Sequence, residues 1–262
     1  MIFIPIIFLL SFITNVTYVI VGNISFSKIS RILILISLLF QTFLILTNKV
    51  SIGSKNFEIN LFVSSWIVGI ASTILLRFFI KNLYTLFISP ACFLLSIPLV
   101  FAPEINDSFF SNKILAFHVM SNFISHTIIL ISSIVAILYI YQYTNIKNKI
   151  INKIDRLPSL SSMEKIIFLL ICIAFPIMTI GFGLGFILSK EQIGTYWFGS
   201  VSAISIISWT IFFLIIQVKA FFSLSGLKIS YYSLVGFISI ILGYIAMYSL
   251  KLPSHTFISM GS

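Results

Sequence analysis

Residues 115–142 read LAFHVMSNFISHTIILISSIVAILYIYQ, without a single Asp, Glu, Lys or Arg. The run is longer than the roughly 20 apolar residues that carry a helix across a bilayer. Lipid offers the backbone no hydrogen-bond partner, so a spanning segment must be helical or belong to a closed barrel. Barrel strands alternate polar and apolar residues over about ten positions, and this solid run of Ile, Leu, Val and Phe does not. A transmembrane helix over 112–142 follows.

Working outward, further runs of the same kind fill the chain, predicting helices near 2–22, 30–47, 61–80, 83–102, 164–189, 197–219 and 231–250. Little is left between them to fold alone. With 59% hydrophobic and 8% charged residues and a mean hydropathy of +1.15, the composition excludes a water-soluble domain. The predicted architecture is an all-α, polytopic integral membrane helical bundle of about eight transmembrane helices, with residues 1–262 forming a single membrane domain. The first run has no basic segment before it and no clear small-residue cleavage pattern near Val21 to Ser25, so it reads as a true span.

The formal charge of +10 does not point to nucleic acid, because the basic residues are scattered between helices and no soluble segment gathers them. They report orientation instead. Eleven, from Lys28 to Lys228, fall in connections 1-2, 3-4, 5-6 and 7-8, against five on the opposite side: Lys49, Lys55, Lys113, Lys190 and Lys251. Basic loops stay cytoplasmic, which predicts an N-out, C-out topology. Cys92 and Cys172 have neither a CxxC partner nor a His at ligand spacing and read as structural thiols.

The connection YTNIKNKIINKIDRLPSLSSM (143–163) is basic and breaks at Leu157-Pro158, with Ser161 or Ser162 placed to cap the next helix. Pro90, Pro98 and Pro176 lie inside predicted helices and predict kinks. Gly181 and Gly185 have GxxxG spacing, which lets a neighbouring helix approach. The GFGLG string around them follows no strand and is no nucleotide fingerprint. Ser202, Ser205 and Ser208 make a small polar stripe that reads as helix packing.

No acid lies clearly inside a span, which argues against a carboxylate-driven pump, hydrolase or protease. The polar residues left within or at the ends of spans are His118, His126, His255, Arg77 and Gln217. His118 stands about one and a half turns into its helix and His255 follows Leu252-Pro253-Ser254. The charge-derived topology puts both at the outer face, where two imidazoles at one depth suit a single metal. His126 comes eight residues after His118, roughly 12 Å deeper and turned by about 80°, so it cannot share that metal. Two neutral imidazoles suit haem iron, although an interfacial histidine needs no ligand to explain it.

The stretch 115–142 resembles the helix of the cytochrome c assembly protein family, of the CcsA and HemX kind. The resemblance continues through LPSLSSMEKIIF, similar to that family's cytoplasmic LPxLxxME segment, and through TIGFGLG, SWTIFFLIIQVK and GFISIILGYIAM. It is best matched over 112–255, and the size fits the small, eight-helix HemX-like or YpjD-like branch. The resemblance implies haem handling at the outer membrane face, with His118 and His255 matching haem-ligand positions. The chain departs from the family in three places. The Trp-rich, Asp-containing outer loop is reduced to EQIGTYWFGS, which keeps Trp197 but no Asp; Gln217 stands where a histidine occurs in the CcsA branch; His126 replaces a usual Tyr.

The expected function is therefore haem binding or haem transfer in cytochrome c assembly or a related haem step. Haem would be the cofactor, with His118 and His255 as iron ligands, and the protein would not be an enzyme in the ordinary sense. The expected partners are the bilayer, haem, and an apocytochrome c or another assembly protein, without nucleic acid. The expected location is a bacterial inner membrane. The alternatives are a scaffold or regulator that kept the fold without haem and, more weakly, a small-solute permease.

Overall fold

The computed structural model describes residues 3–47, 57–79, 83–96, 113–150, 157–193, 200–222 and 224–249. Among these residues there is no strand, and the chain forms eight helices. They are α1 (Phe3–Val21), α2 (Ile24–Leu46), α3 (Phe57–Phe79), α4 (Tyr84–Ser96), α5 (Lys113–Lys147), α6 (Leu160–Ile193), α7 (Ser200–Phe221) and α8 (Gly226–Ser249). Each corresponds to one predicted run. Five contain stretches long and apolar enough to cross a membrane: Phe3–Val21, Ile24–Leu46, Phe117–Lys147, Leu160–Glu191 and Gly226–Gly243. The protein is a helical membrane bundle.

Several helices extend beyond their apolar runs. α2 begins at Ile24 rather than near residue 30, so Lys28 and Arg31 lie on its first turns rather than in a loop. Two residues suffice for the reversal. Gly22 adopts a left-handed φ of 84° that a side chain would resist, and its N–H closes onto the Tyr18 carbonyl at 2.8 Å. Asn23 then caps α2 by accepting the Ser25 N–H at 3.0 Å. α6 starts at Leu160, earlier than expected, because Ser159 is the capping residue rather than Ser161 or Ser162. Its Oγ accepts the Ser162 N–H at 3.2 Å. α5 runs on to Lys147 and ends with Lys149 at a φ of 59°, the Ile150 N–H reaching the Asn145 carbonyl at 2.9 Å.

The chain divides into two compact units, Met1–Ser111 with α1 to α4 and Asn112–Ser262 with α5 to α8. In the first, Ile4 and Phe8 of α1, Ile34 and Leu38 of α2, Phe62 of α3, and Ile88 and Cys92 of α4 share one core. A seam of buried hydroxyls and amides runs beside it. Ser11 Oγ lies 3.0 Å from Ser30 Oγ and 2.9 Å from Ser89 Oγ, Ser30 donates to Thr85 at 2.8 Å, and the Asn15 amide also reaches Thr85. Gln41 of α2 donates to Ser65 of α3 at 2.7 Å. Without a hydrophobic drive between helices in lipid, small residues and such bonds, worth about 0.6 kcal/mol each on average, hold a bundle together.

In the second unit α5 packs along α6, and α8 packs on α5 and α7. Ser132 and Ser133 let α8 come close, with Ser132 Oγ at 3.0 Å from Ser233 Oγ. At the start of α6, Glu164 pairs with Lys219 of α7 at 2.5 Å, and Lys219 also donates to the Leu224 carbonyl at 2.8 Å. With side chains 21% and 28% exposed, the pair lies between a surface bridge worth about 0.5 kcal/mol and a buried one whose breaking costs about 3–5 kcal/mol. Lys219→Glu should therefore lower stability in detergent by about 2 kcal/mol, and the exchanged double variant Glu164→Lys with Lys219→Glu should recover most of it. Equal unfolding midpoints for all three proteins would remove the pair from the account of stability.

Candidate functional site

His118 stands early on α5, and its surroundings are set by one face of each of two helices. His118, Ser121, Asn122 and Ser125 recur at i, i+3, i+4 and i+7, so they share one side of α5. Gly181 and Gly185 share one side of α6 and receive that polar face. His118 Nδ1 is 2.6 Å from the Gly181 carbonyl oxygen. A Cβ on Gly185 would come within 2.8 Å of His118 Cε1 and 3.1 Å of Nδ1, while one on Gly181 would meet Asn122 Oδ1 at 2.6 Å and Ser121 Oγ at 2.8 Å. The expected close approach at the glycine pair is present, and the ring of His118 occupies the place of the missing side chain. Gly183, between them, faces elsewhere, with nothing within 4 Å of a Cβ built there.

The opposite end of the same unit carries a second polar cluster. Tyr139 of α5 and Glu164 of α6 both press on Gly226, and Glu164 holds Lys219. His118 and Tyr139 are about 21 residues apart on α5, as are Glu164 and Gly185 on α6, so each pair spans roughly 32 Å. That is close to the ~30 Å of bilayer hydrocarbon. The histidine seat and the ion pair thus lie one membrane thickness apart.

The remaining predicted residues distribute as follows. His126 is half-buried about two turns deeper on α5, away from the seat, and Gln217 is half-buried on α7. His255, Trp197 and Pro98 lie outside the described residues, as does the side chain of Arg77. Cys92 is buried and Cys172 partly so, both as free thiols, with Cys92 Sγ 3.4 Å from the Ser65 carbonyl. Of the serine stripe, Ser208 is buried at 3.2 Å from Ser239 Oγ of α8, whereas Ser205 is exposed. Among the described residues no three His, Cys, Asp or Glu side chains converge as metal ligands. A porphyrin iron asks less of the protein, since the macrocycle supplies four ligands and one or two imidazoles complete it.

Ser121, Asn122 and the Tyr139–Glu164–Lys219 group were not singled out from sequence. The first two were marked by their helical spacing from His118, but the ion pair joins residues 55 apart, for which a single sequence gives no sign. Between α6 and α7 there is also a groove of about 410 Å³ lined by Thr179, Phe182, Gly183, Phe186, Ile206 and Trp209. The Trp209 indole N–H donates to Thr179 Oγ1 at 2.9 Å, so the lining is apolar.

A comparison with curated proteins found no match. The family model described as cytochrome C assembly protein matches residues 3–253, across both compact units. The chain, an integral membrane protein with a histidine seated on glycines near one end of its spans, therefore belongs to the cytochrome c assembly protein family, which supports a role in cytochrome c maturation.

Proposed function

We propose that this protein binds haem at the outer face of a bacterial inner membrane, with His118 as an iron ligand, and presents it for cytochrome c maturation. The observation that carries the reading is the seat itself. An imidazole, oriented by a main-chain carbonyl at 2.6 Å and bedded on Gly185, is held at the rim of the span rather than at its centre. Haem, when bound, supplies the iron and the porphyrin to be transferred. The chain's own part is to hold and orient it, and the thiols that form the thioether links come from the apocytochrome. The protein is on this reading a binding and delivery component rather than an enzyme. His255 is proposed as the second ligand on its match to the family position alone.

Detergent-purified protein, oxidised and reduced, should show a Soret band. No such band after haem is supplied would favour the scaffold reading, which draws its support from the outer segment EQIGTYWFGS with its lone Trp197 and no Asp.

The outer placement rests on the excess of basic residues in connections 1-2, 3-4, 5-6 and 7-8, and it predicts both termini outside. Reporter fusions after Ser262 and near Lys149 should be active in the periplasm and the cytoplasm respectively. The reverse pattern would invert the topology and move the His118 rim to the inner face.

A further inference from the structure

We infer that Gly185 and the Gly181 carbonyl lock His118 as its Nδ1–H tautomer, so that Nε2 is the nitrogen that ligates iron and Gly185 acts as a positioning residue. The inference rests on the haem reading and names the atom and the neighbour behind it. A carbonyl oxygen only accepts, so at 2.6 Å the imidazole nitrogen facing it carries the proton. In the neutral ring the lone pair is then on Nε2.

The contact with α6 points the same way. From the position of a Cβ on Gly185, His118 Cε1 is 2.8 Å away, Nδ1 3.1 Å and Nε2 3.7 Å. The edge holding Cε1 and Nδ1 therefore rests on Gly185, and Nε2 is the most distant of the three. A methyl group at 185 would push on that edge, lengthen the bond to Gly181 and release the ring to its other tautomer. A metal-binding histidine whose second nitrogen donates to a carbonyl is fixed in direction and made more basic, and loss of such support typically weakens metal binding about ten- to a hundredfold.

The first test needs no haem. Protein labelled with ¹⁵N-histidine is examined by long-range proton–nitrogen correlation in detergent, with the His118 signals identified by their loss in His118→Gln. The unprotonated nitrogen should correlate with both carbon-bound ring protons, which marks it as Nε2; correlation with the Cε1 proton alone would mark it as Nδ1 and overturn the inference. This arm reads the tautomer in the wild-type protein, so it decides even where Gly185→Ala fails to fold.

The second test compares Gly185→Ala with Gly183→Ala, whose added methyl meets nothing within 4 Å. Gly185→Ala should lose the single tautomer and bind haem about ten- to a hundredfold more weakly, with Gly183→Ala matching wild type in both. Wild-type haem affinity and tautomer in Gly185→Ala would overturn the positioning role alone. A wild type that takes up no haem would overturn the ligating role of Nε2 and the haem reading together, with the tautomer still visible by NMR.

Discussion

His118→Ala protein should fold, run as wild type in detergent and have no Soret band. The ring is half-buried at the rim of the unit rather than in its core. Its removal forfeits the hydrogen bond to the Gly181 carbonyl, about 1 kcal/mol, and leaves an opening at Gly185 rather than a sealed cavity. The loss to haem is of another order, because an iron ligand has no substitute among neighbours such as Ser121 and Asn122. His126→Phe should do the reverse, disturbing packing more than haem, since that side chain lies about two turns from the seat. His255→Ala should weaken binding if the C-terminal position supplies the second ligand. Equal haem content in wild type and His118→Ala would end the ligand assignment and leave the scaffold reading in its place.

Gly185→Leu should have the largest effect on folding. The first atom of the new side chain already collides with the His118 ring at 2.8 Å, so the ring or one of the two helices must shift to admit a leucine. Over-packing a well-filled contact costs about 1–3 kcal/mol. Here it also separates two membrane helices that lack a hydrophobic drive to re-associate. Folded yield and thermal midpoint in detergent should both fall sharply, while Gly183→Leu, directed into the groove beside Trp209, should leave them nearly unchanged. Indistinguishable midpoints for Gly185→Leu and wild type would show that this crossing is not what holds the unit together.

The number and order of the helices were legible because lipid imposes a length and a composition on a span: among the described residues α1, α2, α5, α6 and α8 meet both, and α3, α4 and α7 hold shorter apolar stretches. Their ends were less legible. The extensions 143–147 of α5 and 160–163 of α6 mix polar residues with apolar ones such as Ile146 and the buried Met163, so hydropathy does not delimit them, and their limits come from local bonds such as the one from the Ser162 N–H to Ser159 Oγ. Half of the candidate site could be read from sequence: His118 from its position and Gly185 from its spacing to Gly181. That the two meet could not, since nothing in either run says which face of α5 turns to which face of α6. The seam of Ser11, Ser30, Thr85 and Ser89 was missed for a different reason. Hydroxyls barely lower the hydropathy of an apolar run, and they became visible only when three helices brought them within 3 Å of one another.

Equal spacing of the polar contacts along α5 and α6 makes this helix pair a calliper. The His118 contact at one end and the Lys219–Glu164 pair at the other are both comfortable only where lipid headgroups and water can reach them. A bilayer of matching thickness satisfies both, whereas a thicker one must thin locally, tilt the pair or draw one contact into hydrocarbon, at a fraction of a kcal/mol per ångström. Acyl-chain length thereby becomes a variable of the histidine seat. The same protein in short-chain and long-chain lipid would present His118 at different depths, so the membrane takes part in setting how readily that imidazole meets a ligand from the aqueous side.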